Sequence, residues 1–283
     1  MDLRQLIAYL LDWSQIGAYM AVGLLAAAVE YVYGAALARS PVPEARARGY
    51  AHIQEALGGF AATGLFFFIV FAVAGAVSVS LPPPGEAQAM LKHARDRLVK
   101  WVIELANLEK DLTAAVITAP LVQTVAASAI LARFAIHSLL ALTSAFSFAL
   151  PILTGGVGQL MVAAGAACMC TPRLRRLGPY LIFSAVALLV VSCGVARAAY
   201  DVAQDLKFKY EGFGSLPNPV EFLRIIYELL TGKLIPALVS DGYVSARALV
   251  WVSIGIAAVA TITAAASAAA GGFADSLVNR VRL

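Results

Sequence analysis

Residues 177–199 read LGPYLIFSAVALLVVSCGVARAA, a block in which Arg197 is the single charge and no face is polar. A helix needs about 20 such residues to cross ~30 Å of hydrocarbon. A surface helix of a water-soluble domain would instead alternate apolar and polar residues with the helical period. The block therefore predicts a membrane-crossing helix. Blocks of the same kind recur at 15–38, 57–80, 112–150, 152–170 and 249–271.

Composition agrees with this reading. The chain of 283 residues is 61% hydrophobic and 13% charged, against roughly 45–50% and 25% for a soluble globular domain. Ala and Gly are heavily used, as in helices whose backbones approach closely through small side chains. The net charge of +4 is spread over short loops and forms no stripe able to bind nucleic acid by itself. Cys168, Cys170 and Cys193 sit in apolar surroundings with neither the number nor the spacing of a disulfide framework or a zinc site, and read as small hydrophobes.

The first block, 15–38, carries Glu30 and stops at Arg39, Pro41, Pro43, Arg46 and Arg48. The second, 57–80, ends in Pro82-Pro83-Pro84-Gly85, which cannot continue a helix. The apolar run 112–150 would make a helix nearly twice as long as a bilayer is thick, so Arg133 is taken to divide it into crossings at 112–132 and 134–150, with Pro151 opening the next turn. A continuous helix projecting from the membrane is the rival. The expected fold is an all-α polytopic membrane protein, 1–283 forming one integral membrane domain. It has about seven transmembrane helices, or six if the third and fourth crossings merge, with additional amphipathic helices outside.

One of those helices is 86–111. Leu91, Ala94, Leu98, Trp101, Leu105, Leu108 and Leu112 recur at alternating spacings of three and four, which is a heptad seam, while Lys92 with Asp96 and Lys100 with Glu104 form i,i+4 pairs on the other face. Leu91, Leu98, Trp101, Leu105 and Leu108 are thus candidates for a seam between copies; the alternative is a helix packed on its own chain. A second polar region, 200–246, is expected to be an outside loop containing an interfacial helix at 219–231. There Asn218 serves as cap, Pro219 stands at the first position and Glu221 reaches back. The first twelve residues lack the pattern of a signal peptide and read as a short interfacial amphipathic helix.

With seven crossings, the basic clusters at Arg39, Arg133, Arg173 and Arg280 fall on one side, which the positive-inside rule makes cytoplasmic. The N-terminus is then outside and the C-terminus cytoplasmic, in the cell membrane.

No catalytic residues emerge. The stretch 155–158 lacks the Lys and Ser/Thr of a phosphate loop, and neither Gly-x-Ser-Gly nor His-Glu-x-x-His occurs, so no enzyme and no cofactor is expected. Candidate intramembrane polar residues are Glu30, Gln123, His137 and Gln159, accompanied by Thr124, Ser128 and Thr154. A carboxylate inside a crossing costs ~2.5–3.5 kcal/mol on insertion scales, which makes Glu30 either a structural partner of a polar group or an ion site. His137 alone builds no metal site, and none is expected.

An Ala/Gly-rich polytopic chain of this size, with an outside N-terminus and a sizeable outside helix between crossings, resembles the inner-membrane channel component of bacterial conjugation (type IV secretion) machines. It looks most similar to the CedA family of the crenarchaeal DNA-import system. Low Asn content (Asn107, Asn218, Asn279) is compatible with a thermophilic source. The resemblance rests on architecture, and no residue is carried over by position. It implies a homo-oligomeric, non-enzymatic channel or scaffold subunit in contact with membrane lipid, a pilin and a cytoplasmic ATPase as partners, and transient passage of DNA. A small-solute or ion transporter is the alternative function, although proton-relay chains of Asp, Glu and His are missing.

Overall fold

Asp12 starts the first long helix. Its carboxylate accepts the Ser14 N–H at 3.0 Å, the Gln15 N–H at 3.3 Å and the Ser14 hydroxyl at 2.6 Å, satisfying amides that have no partner within the helix. The Ser14 hydroxyl, and after it the Gln15 amide, hold the Asp12 carboxyl below its ordinary range. The structure is a computed structural model in which residues 3–76, 80–114, 119–171, 174–210, 227 and 233–280 are described. Every element among them is helical: α1 (Leu3–Leu10), α2 (Trp13–Ala38), α3 (Pro43–Ala76), α4 (Pro84–Ala114), α5 (Ala119–Ile152), α6 (Gly158–Cys170), α7 (Leu177–Asp205) and α8 (Leu234–Arg280).

These residues group into two compact units. The first comprises residues 1–84, 150–191 and 256–283; the second comprises 85–149 and 192–255. Helices α5, α7 and α8 contribute segments to both.

In the first unit α2 and α3 form an antiparallel hairpin. Pro43 occupies the first turn of α3, where its missing N–H costs nothing, and Glu44 lies in the same turn beside the positive end of the helix dipole. Glycines set the separation. A Cβ on Gly49 would lie 2.3 Å from the Ala38 nitrogen and one on Gly34 would lie 2.8 Å from the Gly49 oxygen, so the two backbones touch. The same device joins α2 to α6, where a Cβ on Gly23 would meet the Ala167 oxygen at 2.7 Å. It also joins α6 to α7, where one on Gly165 would meet the Gly178 oxygen at 2.8 Å. Helix α1 buries Leu6, Ile7 and Leu10, with Leu10 against Gly158. Phe66 of α3 meets Phe183 of α7 edge to face at 5.3 Å between ring centres.

The apolar run after α4 departs from the sequence reading. It does not divide at Arg133: α5 is continuous from Ala119 to Ile152. Arg is a good helix former, and this guanidinium pairs with Glu109 of α4 instead of ending the helix. Nor does Pro151 stop it. The backbone breaks five residues later at Gly156, whose φ of 112° only glycine adopts without strain, inside a short π-helical turn, Leu153–Val157. The Thr154 hydroxyl donates to the carbonyls of Leu150 at 2.9 Å and Pro151 at 3.3 Å, occupying acceptors beside the break.

The second unit is a helical bundle whose seam is the heptad of α4. Leu98, Trp101, Leu105, Leu108 and Leu112 pack with Val125, Ala129, Ala132, Ile136 and Leu139 of α5, Val202 of α7, and Leu234 and Leu238 of α8. Each of these large side chains contributes about 1.5–3 kcal/mol by leaving water. A Cβ on Gly242 would lie 3.1 Å from the Ala132 nitrogen, a close approach of α8 to α5.

The region 200–246 is a loop only in part. Residues 200–205 complete α7, 206–210 have no regular secondary structure, and 234–246 open α8. The interfacial helix expected at 219–231 lies outside the described residues, apart from an exposed, helical Tyr227.

By length and apolar composition, four helical segments among the described residues can cross a membrane: Ser14–Ala38, Leu121–Cys170, Leu177–Asp205 and Leu234–Ala270. The first and third match the blocks at 15–38 and 177–199. Of its most apolar stretch, α8 buries 6% inside the chain, against 39% for α7. On α2 the side chains of Val22, Leu25, Val29 and Val32 form an exposed stripe. A soluble protein would not leave such faces open.

Candidate functional site

Within the hairpin, Glu30 of α2 faces His52 of α3. The His52 Nδ1 and Glu30 Oε1 atoms lie 2.8 Å apart, a hydrogen bond from imidazole to carboxylate. Both side chains are partly covered, to 29% exposure for His52 and 22% for Glu30. Glu55, one helical turn beyond His52, completes a group whose ligand atoms all lie within 4.8 Å of one another. Tyr33 sets its ring edge-on to the imidazole, 5.4 Å between centres, which restricts the ring's rotation. On the other side, the Arg175 guanidinium donates to the Glu55 backbone carbonyl and fixes that turn of α3.

Glu30 was legible in the sequence as the acid inside a crossing; His52 and Glu55 were not, because they fall in a stretch taken for a loop. The expectation that no metal site exists considered His137 alone. A hairpin signal was nonetheless present: Glu30 and His52 are equidistant from residue 41, in the turn between α2 and α3. Antiparallel helices joined there must bring the two side chains level.

The remaining polar candidates do not converge. Gln123 and His137 are exposed on the part of α5 that belongs to the second unit. Gln159 of α6 donates to the Tyr9 carbonyl at 3.4 Å, tying α6 to α1. The hydroxyls of Ser128 and Thr154 are spent on carbonyls of their own helices.

The heptad residues find their partners within the chain. Leu91, Leu98, Trp101 and Leu108 are fully buried and Leu105 is nearly so. The reading of these five as a seam between copies gives way to the other alternative, in which the helix packs on its own chain and α5, α7 and α8 cover Leu98, Trp101, Leu105 and Leu108. Of the pairs expected on the outer face, Lys100 with Glu104 forms at 3.7 Å, joined by Arg97 at 3.6 Å. Asp96 instead meets Arg95.

A further polar centre had gone unnoticed in the sequence. Asp241 of α8 is completely buried, and both its oxygens are used. Oδ1 accepts the Lys207 N–H at 2.8 Å, and Oδ2 accepts the Phe208 N–H at 2.9 Å and the Trp101 indole N–H at 2.9 Å. Arg97 adds a bond to the Phe208 carbonyl at 3.0 Å, and the Tyr210 hydroxyl donates to Asp111 at 2.7 Å. These bonds pin the irregular segment 206–210 to α4 and α8. Lying in a polar region read as a loop, Asp241 gave no helical period by which to recognise it.

Comparison with protein-family models, with curated proteins and with solved structures finds no match.

Proposed function

We propose that the protein is a non-enzymatic, oligomeric channel or scaffold subunit in the cell membrane, of the kind that conjugation-like DNA-transfer machines use. The observation that carries the reading is α8. It holds a long apolar stretch that is almost uncovered within the chain, and its outward side chains include Val250, Trp251, Ile254 and Ile262. Residues 255–272 are otherwise mostly Ala, Ser, Thr and Gly, and small side chains favour contact between helices by allowing backbones to approach. The occupant of this face is a second copy. The polar groups that a solute carrier would gather, Glu30, Gln123, His137 and Gln159, are spread over both units or spent on backbone carbonyls, which favours a conduit or scaffold over a carrier.

The topology follows the same reading. If the bend at Gly156 were a reversal there would be six crossings, and Arg175 and Arg176 would lie opposite Arg46 and Arg48. Taken as one passage, Leu121–Cys170 gives five crossings when the apolar block 57–80 is added to the four segments above, with the basic loops at Arg39 and Arg173 and the tail at Arg280 on the cytoplasmic side. The N-terminus and α4 are then outside and the C-terminus is inside. Pilin, a cytoplasmic ATPase and transiently bound DNA are the partners this function requires.

Two measurements test the proposal. Protein extracted into lipid nanodiscs is expected to contain more than one chain per particle, and Ile262→Lys is expected to lower that number. Disrupting the gene in its host is expected to abolish DNA transfer between cells. A monomeric wild type, or undiminished transfer, overturns the reading.

A further inference from the structure

We infer that the α2–α3 hairpin binds a divalent transition-metal ion on Glu30, His52 and Glu55. The donor set is one imidazole nitrogen and two carboxylates from two helices, with His52 and Glu55 one turn apart on the same face of α3. Three protein ligands with a fourth position left to water is the arrangement of open zinc sites. Bonds of 2.0–2.2 Å place tetrahedral ligand atoms ~3.4 Å from one another. The atoms here start 2.8 Å apart for Glu30 and His52, and within 4.8 Å for all three. No separation therefore exceeds that between one ion's ligands by more than about 1.4 Å.

Charge and rigidity argue in the same direction. Glu30 lies ~12 Å along α2 from its end at Ala38, inside a segment apolar enough to span a membrane. Two carboxylates with a neutral imidazole carry two negative charges, and a divalent ion cancels them where water is scarce. The helices cannot drift apart or slide without disturbing the Gly34–Gly49 contact, so the ligands are held in register before any ion arrives. Tyr33 orients the imidazole, as outer partners of metal ligands do. On binding, Nδ1 gives up the proton it now donates to Glu30, the neutral imidazole keeps its one proton on Nε2, and the freed Nδ1 lone pair takes the ion. The partial exposure of both side chains leaves a way in.

The test is a zinc titration of the full-length protein, treated with chelator and freed of any affinity tag, by calorimetry in detergent, with cobalt as a spectroscopic stand-in. One zinc per chain is expected, together with a rise in melting temperature that chelator reverses. Glu30→Gln, His52→Ala and Glu55→Gln are each expected to weaken binding at least about tenfold, while His137→Ala leaves it unchanged. Glu30→Gln keeps an oxygen to accept the His52 hydrogen bond, so it decides the matter if His52→Ala does not fold. No stoichiometric zinc on the wild type, or equal affinity in Glu30→Gln, overturns the inference.

Discussion

Asp241 shows how much one side chain can determine. Three N–H donors from two other parts of the chain converge on its carboxylate, those of Trp101 and Phe208 fully buried and that of Lys207 partly so. Asp241→Ala removes the partner of all three and strands the two buried ones, at about 1–3 kcal/mol for each. Asparagine is a poor substitute here, since its amide would aim a donor at a donor. Asp241→Ala is therefore expected to lower the stability of the second unit by about 2 kcal/mol or more and Asp241→Asn by about 1 kcal/mol or more, seen as a fall in melting temperature and an altered Trp101 fluorescence. An Asn variant as stable as wild type would contradict the hydrogen-bond assignment.

Among the elements, the hairpin of α2 and α3 depends on absent side chains. Gly49→Ala would drive a methyl into the Ala38 backbone, while Gly17, on the same α2, has open space around its Cα. Gly49→Ala is expected to destabilise the protein by about 1–3 kcal/mol through overpacking and to separate Glu30 from His52. Gly17→Ala is expected to be neutral or stabilising by up to ~1 kcal/mol, because it removes a helix-interior glycine. Paired thermal melts decide it, and equal effects would contradict the close approach. The sequence was informative about such elements where it was monotonous. Helices α2 and α7 were legible because nothing interrupts their apolar runs beyond one acid or one Arg. The same logic failed at Arg133, whose partner Glu109 is distant in sequence, and at 234–246, where polar residues such as Asp241 and Ser245 are buried inside a helix rather than lying on a loop. The heptad of α4 was visible as a stripe, but periodicity does not say what covers it.

At the scale of the whole molecule, the proposed arrangement of five crossings predicts sidedness. In a variant whose native cysteines are replaced, Lys100→Cys, on an exposed position of α4, is expected to react with a membrane-impermeant thiol reagent in intact cells. Arg46→Cys, near the start of α3, is expected to react only after the cells are opened. The reverse pattern would overturn the orientation, and equal labelling of both sites from outside would overturn the parity.

The hydrogen bond between Trp101 and Asp241 joins residues 140 positions apart, and this separation bears on how the protein is made. A chain emerging from the ribosome at roughly 5–20 residues per second presents α4 and α5 many seconds before α8. Throughout that interval the indole and the amides of Lys207 and Phe208 have no carboxylate to meet, and the face of the bundle that Leu234 and Leu238 will cover stays open. The second unit therefore closes late in synthesis, and a nascent chain stalled between α7 and α8 is the form most exposed to misassembly and to the quality-control proteases of the cell.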